Sequence, residues 1–456
     1  MLGASDRPGW LRDQRWPSPE EQLRCSSLDL GPVLDSEVGV TAKGWPASRG
    51  LRLRDVATKG WNLHDEALPL PVLALRAEAV LNNLAVMGGF CAANGVEISP
   101  HGKTSMAPQL FALQLSAGAW GITLASTQQL QTALAFGVPR VMIANEVVGR
   151  PNLMTLAGSL ATDPPPVVMS WVDSGEAVEE LASAVREAGL ATPVEVLLEV
   201  GYPGGRAGVR TDEQVDEVLG AVGRHGTRVR LVGVAGFEGL LTNGRRDDKV
   251  SPRTHAVSQT AYLEHIAGVA TRLHGRGDLL DGYLLSAGGS TSFDRVVDAF
   301  SPLASEATVV LRSGCYLTHD HFMNARTSPL AEGGRHAPDF GCLQAALELW
   351  AYVLSTPEPG LAIVGCGRRD APFDSGLPVP LRVVRRGRTA LGPEPLKGGV
   401  SQLNDQHLYF SDETGLEVGD RVVFGISHPC TAFDKWALIP VIDAAGAVID
   451  AVRTYF

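Results

Sequence analysis

Between residues 71 and 314 the apolar positions gather into short β-branched runs that alternate with longer amphipathic stretches. The runs are PVLAL (71–75), VEIS (96–99), GITLAS (121–126), RVMIAN (140–145), VVMSWVD (167–173), VEVLLEV (194–200), VRLVGVAGF (228–237), YLLSAG (283–288) and VVLRSG (309–314). Short apolar runs bounded by turn formers predict strands, whereas intervening segments such as RAEAVLNNLAVMGGFCAAN and DEQVDEVLGAV carry a helical period. Strand and helix alternating over this length predict a parallel sheet. Eight or nine units suit a closed (β/α)8 barrel of the TIM type, with a doubly wound open sheet as the alternative on pattern alone. Nine runs are one too many for the barrel, so one of them must pair elsewhere.

From about residue 340 the pattern shortens to strands separated by turns: AIVGCG, LRVVRRG, HLYFSDETG, DRVVFGISHPC, KWALIPVID and AVIDAVRTYF. This predicts a smaller all-β domain. Residues 1–66 are rich in proline, glycine, tryptophan and charge and have little periodicity, which predicts an extension packed on a larger body. The expected organisation is an N-terminal extension (1–66), a barrel (67–335) and a C-terminal β-domain (336–456).

Composition narrows the class of function. Hydrophobic residues make up 45% and charged residues 20% of 456 positions, as in ordinary soluble globular proteins. A net charge of −11 without a basic face argues against nucleic acid as a partner and leaves a small molecule as the expected one. The six cysteines include no C-x-x-C pair, which argues against a disulfide scaffold or a ribbon zinc site and fits a reducing cytoplasm. No apolar run approaches the 18 residues of a membrane span, and the opening MLGASDRPGWLRDQRW lacks the apolar centre of a secretory signal, so a cytoplasmic location is expected.

Three constellations carry candidate chemistry. EISPHGKTSMAP (97–108) ends like a phosphate-cradling G-x-x-x-x-G-K-[ST] loop, but Glu97 stands where the first glycine belongs, and its carboxylate would repel phosphate. Lys103 instead follows a strand, at the end where barrel enzymes keep their active sites, so it is either a solvated loop lysine or an amine for covalent chemistry. LLSAGGSTSFD (284–294) ends a late strand in glycines and hydroxyls, a loop suited to phosphate or to a plain turn. His428 and Cys430, two apart at the end of a predicted strand, offer an imidazole and a thiol to one face; such a pair is either a zinc site with open positions or ordinary core residues.

Together PHGKT, VGYPGGRAGV, LLSAGGSTSFD, RSGCYLTHD, and LNDQH followed by GDRVVFGISHPCTAFDKW resemble the D-serine dehydratase and D-threonine aldolase family, over roughly residues 67–456. The resemblance implies an alanine-racemase-like (β/α)8 barrel with pyridoxal 5′-phosphate (PLP) held covalently by Lys103. In that fold the leading strand at 71–75 joins the β-domain and the barrel starts with VEIS. The resemblance further implies that His101 flanks the lysine, Arg206 sits near the cofactor's phenolic oxygen, and residues 286–292 hold the phosphate, among them Ser286, Gly288, Gly289, Ser290 and Thr291. Tyr316 faces the substrate, and a homodimer is implied. GFEG (236–239) departs from the family pattern: Phe237 can stack on the pyridine ring but lacks the hydroxyl many relatives supply, with Glu238 as a substitute holder of the ring nitrogen. The His428–Cys430 pair follows the family's zinc dehydratases, which implies a D-3-hydroxy amino acid as substrate and a 2-oxo acid and ammonia as products. Retro-aldol cleavage to glycine and an aldehyde is the alternative reading, and a metal-free racemase or a non-catalytic PLP carrier is a further one.

Overall fold

The computed structural model describes residues 7–25, 27–241, 258–387 and 393–456. Its chain divides into two compact units that do not follow the expected boundaries at 66 and 335. One unit comprises Gly88–Lys103 and Gln114–Gly314. The other gathers Arg7–Met87, Thr104–Leu113 and Cys315–Phe456.

The first strand, β1 (Val72–Arg76), lies in the second of these units, and the next eight build the barrel: β2 (Glu97–Ile98), β3 (Ile122–Leu124), β4 (Arg140–Glu146), β5 (Val167–Val172), β6 (Val194–Glu199), β7 (Val229–Ala235), β8 (Tyr283–Ala287) and β9 (Ala307–Leu311). Both β5 and β6 are buried at five of six positions, the burial of strands covered on both faces. All eight are parallel, in the order β2-β9-β8-β7-β6-β5-β4-β3. A further parallel bridge, His101 to Thr123, with Thr123 N–H donating to Pro100 O at 2.9 Å, joins the chain beyond β2 to β3 and closes the ring. That closure decides between the barrel and the open sheet. Inside, Met142, Met169, Trp171, Leu197, Leu284 and Val310 fill the barrel as a packed core. Ser126, Ser174, Thr211 and Ser258 cap the N-termini of four outer helices by accepting backbone N–H bonds, the oxygen-bearing residues that orphaned helix donors require.

The second unit is a mostly antiparallel sheet of β1 with β10 (Leu347–Glu358), β11 (Leu361–Val364), β12 (Val379–Val384), β13 (Glu394–Pro395), β14 (Gly398–Leu403), β15 (Leu408–Asp412), β16 (Arg421–Gly425), β17 (Leu438–Ile442) and β18 (Val448–Arg453). β1 lies between β10, antiparallel, and β17, parallel, which removes the ninth strand from the barrel count. The 12-residue β10 has no counterpart among the runs read from the sequence. Its first half, Leu-Glu-Leu-Trp-Ala, is buried at every position, so the polar-apolar alternation that marks a strand is missing. Glu348 within it is buried because Arg382 grips both its oxygens, at 2.9 and 2.5 Å.

The N-terminal stretch packs on this sheet through its tryptophans. Trp16 Nε1 (2.8 Å) and Gln22 Nε2 (2.6 Å) both donate to the buried Asp450 carboxylate on β18, and Trp45 Nε1 donates to Leu438 O at 3.2 Å. Arg421, fully buried, donates to the carbonyls of Leu63 and His64. Asp450→Ala removes the acceptor from two buried donors and is expected to cost about 2–3 kcal/mol. Urea unfolding checks it: Asp450→Asn, which keeps an acceptor, recovers most of the loss, and an alanine variant as stable as the parent would refute the anchoring role. No helix among the described residues is long and apolar enough to cross a membrane.

Candidate active site

The C-terminal ends of the barrel strands bring most of the expected residues together. Lys103 sits exposed in the short 3-10 turn Gly102–Thr104, just past the bridge that closes the barrel at His101. Burial, together with the nearby cations Lys103 and Arg312, holds the His101 imidazole well below its usual range, so it is neutral. Its Nδ1 is buried without a hydrogen-bond partner in the protein.

Arg206 projects from a turn that only glycines allow. Val200 and Val209 bridge, and a Cβ on Gly201 would lie 2.3 Å from Ala207 O; Gly208, at φ +95°, would place one 2.4 Å from Gly201 N. The Arg206 guanidinium lies 5.2 Å from the centre of the Phe237 ring. Phe237 is held in turn by its N–H donating at 3.1 Å to the Tyr262 hydroxyl, which itself donates to Val200 O at 2.5 Å.

The loop after β8 is shaped differently from the expectation. Gly288 adopts φ +102°, and the glycine amides are already engaged: Gly288 N–H (3.1 Å) and Gly289 N–H (2.7 Å) donate to the two oxygens of Glu238, which is fully buried. Glu238 therefore braces the loop rather than standing free as a ring-nitrogen partner. Ser286 lies within the strand, its hydroxyl donating to Val310 O at 2.8 Å and accepting from Arg312 Nη1 at 2.6 Å. Ser290 and Thr291 follow these engaged glycines, and the Ser292 hydroxyl accepts from Gln259 Nε2 at 2.7 Å. There the helix Phe293–Phe300 begins, and its N-cap, Ser292, spends no side-chain bond on the helix. Lysine, arginines, neutral imidazole with an orphaned nitrogen, and helix N-terminus are a fitting set for PLP.

Sequence reasoning missed two features of this barrel end. Arg312, in the quoted RSGCY motif, is buried with its guanidinium 4.7 Å from the Trp171 ring centre, and also donates to Gly236 O at 2.6 Å. Burial pushes it down to about 10 against the opposing pull of Glu238 and Glu199. Glu199, at the end of β6, is buried and hydrogen-bonded to Glu146 at the end of β4; burial first, then that second carboxyl, raises it to about 9. The folded chain thus keeps a proton on Glu199 that the unfolded chain loses, so this group's contribution weakens stability as pH rises from about 4.5 toward 9. Glu199→Gln, neutral at every pH, is expected to raise Tm by at least about 2 °C at pH 8, with the gap closing toward pH 5. Thermal melts at both pH values measure this, and a gap independent of pH would contradict it.

In the second unit, His428 and Thr104 bond to the Cys430 sulfur, which also touches that of Cys315, and Asp374 and Thr431 extend the network from His428. His428 Nδ1 is hydrogen-bonded to Asp374 Oδ2 at 2.5 Å, and Thr431 Oγ1 donates to Asp374 Oδ1 at 2.6 Å. Cys430 Sγ lies 3.2 Å from Thr104 Oγ1 and 3.6 Å from Cys315 Sγ, and is hydrogen-bonded to His428. Hydrogen bonding from Cys315, then from His428 and Thr104, holds the Cys430 thiol well below its usual range despite burial. Burial alone would lower His428, but its bonds to Asp374 and Cys430 raise it to about 10. The arrangement is a thiolate beside an imidazolium that is oriented by a carboxylate, the second-shell partner metal-binding histidines use. The donors suit zinc. Among the described residues, no group of three or more His, Cys, Asp or Glu is arranged to hold a metal. Asp374 lies 54 positions before His428 and carries no sequence signal. Tyr316 is buried in the short turn Cys315–Leu317.

Comparison with known proteins places this geometry. Residues 346–442 match the family model described as "Putative serine dehydratase domain". The chain is 26% identical over 374 residues to a D-threonine aldolase of Arthrobacter sp., covering 82% of this chain and 87% of that one. It is 31% identical over 169 residues to the D-threo-3-hydroxyaspartate dehydratase of Delftia sp. (strain HT23), covering 37% and 43%. Among solved structures, the D-threonine aldolase from Filomicrobium marinum superposes with a TM-score of 0.69 at 24% identity, over 87% of this chain and 97% of that one. An alanine racemase-like protein from Idiomarina loihiensis superposes with a TM-score of 0.62 at 14% identity, over 85% and 96%. The resemblance read from the motifs therefore holds: residues 346–442 match the serine dehydratase domain, the chain has a D-threonine aldolase and a D-threo-3-hydroxyaspartate dehydratase as homologues, and its fold is alanine-racemase-like.

Proposed function

We propose that this chain is a PLP- and zinc-dependent lyase that removes water from a D-configured 3-hydroxy amino acid, releasing a 2-oxo acid and ammonia. The observation that carries the proposal is the Cys430 sulfur, bonded to His428 on one side and to the Thr104 hydroxyl on the other, where Thr104 directly follows Lys103 in the chain. Support also comes from a D-threo-3-hydroxyaspartate dehydratase, a cysteine-to-alanine variant of which is described in a metal-free form.

When bound, PLP supplies an electron sink for charge developing at the substrate Cα, and zinc supplies a Lewis acid for the β-oxygen. The protein's part is positional and acid-base. Lys103 would hold the cofactor's aldehyde, and its released amine would take the α-proton. His101 stays neutral beside it and adds no competing positive charge. Arg206 and the helix start at Phe293 would hold the anionic groups of the cofactor. His428 and Cys430 would hold the metal, and Asp374 fixes the ring plane of His428.

A second reading is retro-aldol cleavage. It is favoured by the aldolase homologue, whose match covers 82% of this chain. The test is a panel of D-3-hydroxy amino acids given to zinc-replete, PLP-loaded protein, with 2-oxo acid and ammonia measured against glycine and aldehyde. Glycine as the main product would replace the first reading with the second, and racemisation without either product would overturn both. A homodimer belongs to the proposal and is checked by light scattering.

A further inference from the structure

We propose that Cys315 and Cys430 form a peroxide-responsive disulfide pair. Their sulfurs are 3.6 Å apart, which is van der Waals contact with no room for an atom between them. A disulfide needs them only about 1.5 Å closer. Both residues begin short helical turns, Cys315–Leu317 and Cys430–Phe433, so neither lies within a strand. Both are partly exposed, whereas Cys91 and Cys366 are fully buried. Cys342 is also partly exposed, but no sulfur bond is formed with it among the described residues.

The reaction balances with a hydroperoxide as oxidant. One cysteine thiolate attacks the peroxide oxygen and the O–O bond breaks, giving a sulfenic acid and water or an alcohol. The neighbouring thiol then attacks the sulfenic sulfur and expels water. Two electrons and two protons leave the pair, and the peroxide is reduced by the same two electrons. A dithiol reductant reverses the step by thiol exchange. On the reading that Cys430 is a metal ligand, closure withdraws that ligand, so oxidation would silence the enzyme.

The test uses the full-length protein stripped of metal and treated with hydrogen peroxide. The expected result is loss of the mass of two hydrogen atoms, a peptide joining positions 315 and 430, and recovery of both thiols to iodoacetamide after dithiothreitol. Cys342→Ser behaves like the parent. Cys315→Ser cannot lose the hydrogens and instead accumulates oxygen on Cys430. The proposal is overturned if positions 315 and 430 both stay alkylatable while peroxide is consumed, or if the linked peptide contains position 342. Because no metal is present, failure here leaves the zinc reading intact, and failure of zinc to bind leaves the disulfide result intact.

Discussion

Lys103→Ala is expected to abolish borohydride-stable labelling of the chain by PLP and to lower turnover by at least about 10,000-fold. Two separate properties of the side chain produce this result. The amine is the covalent attachment point, and it is the base nearest the substrate Cα in the proposed reaction. Lys103→Arg separates charge from chemistry, because a guanidinium keeps the positive charge but does not lose its proton near neutral pH. It should fail as completely as alanine. Both variants should fold, since Lys103 is exposed on a 3-10 turn and buries no surface. Labelling is read by peptide mapping after reduction. A pyridoxyl group found on the alanine variant at another lysine, or activity within tenfold of the parent, would remove Lys103 from the mechanism.

Much of this fold was legible because parallel strands covered on both faces become continuous apolar runs. All eight barrel strands lie within or beside runs visible in the sequence, β5 and β6 almost to the residue. The split of the chain was less visible. Arg7–Met87, Thr104–Leu113 and Cys315–Phe456 form one unit through contacts between residues hundreds of positions apart, such as Trp16 with Asp450, and no local period encodes such pairing. β10 was missed for a related reason: its buried Glu348 looks like a strand-breaking charge until Arg382 is seen gripping it.

The candidate site was legible only where chemistry is adjacent in sequence. Lys103, the glycine loop and the His428–Cys430 pair each stand in a compact motif. Glu199 and Asp374 do not, and Glu238, though quoted in GFEG, was read toward the ring nitrogen, because each works through a partner that the fold supplies: the carboxyl of Glu146, the ring of His428, and the amides of Gly288 and Gly289. Cys315 lay inside a quoted motif, but nothing in one dimension says that its sulfur touches Cys430.

Replacing Cys430 by alanine is expected to lower turnover about 1,000-fold, the loss of several kcal/mol of Lewis-acid stabilisation. PLP labelling of Lys103 should persist, since the thiol is not part of that attachment. The pH dependence of zinc binding gives a sharper test of the same pair. In the metal-free protein, hydrogen bonds from Cys315 and His428 hold the Cys430 thiol well below its usual range, whereas its bonds to Asp374 and Cys430 keep a proton on His428 up to about 10. Zinc must therefore displace one proton, from His428, at any pH below that value, and apparent affinity should rise about tenfold for each pH unit between 6 and 9. Asp374→Asn acts on both sides of this balance. It releases His428 from the carboxylate that raises its proton affinity, flattening the slope, and it loses the orientation that fixes the ring, lowering affinity at high pH by about 10- to 100-fold. Competition with a coloured zinc chelator across the pH range measures both quantities. A flat profile in the parent protein would mean that His428 is not the second ligand, whatever the product assay reports.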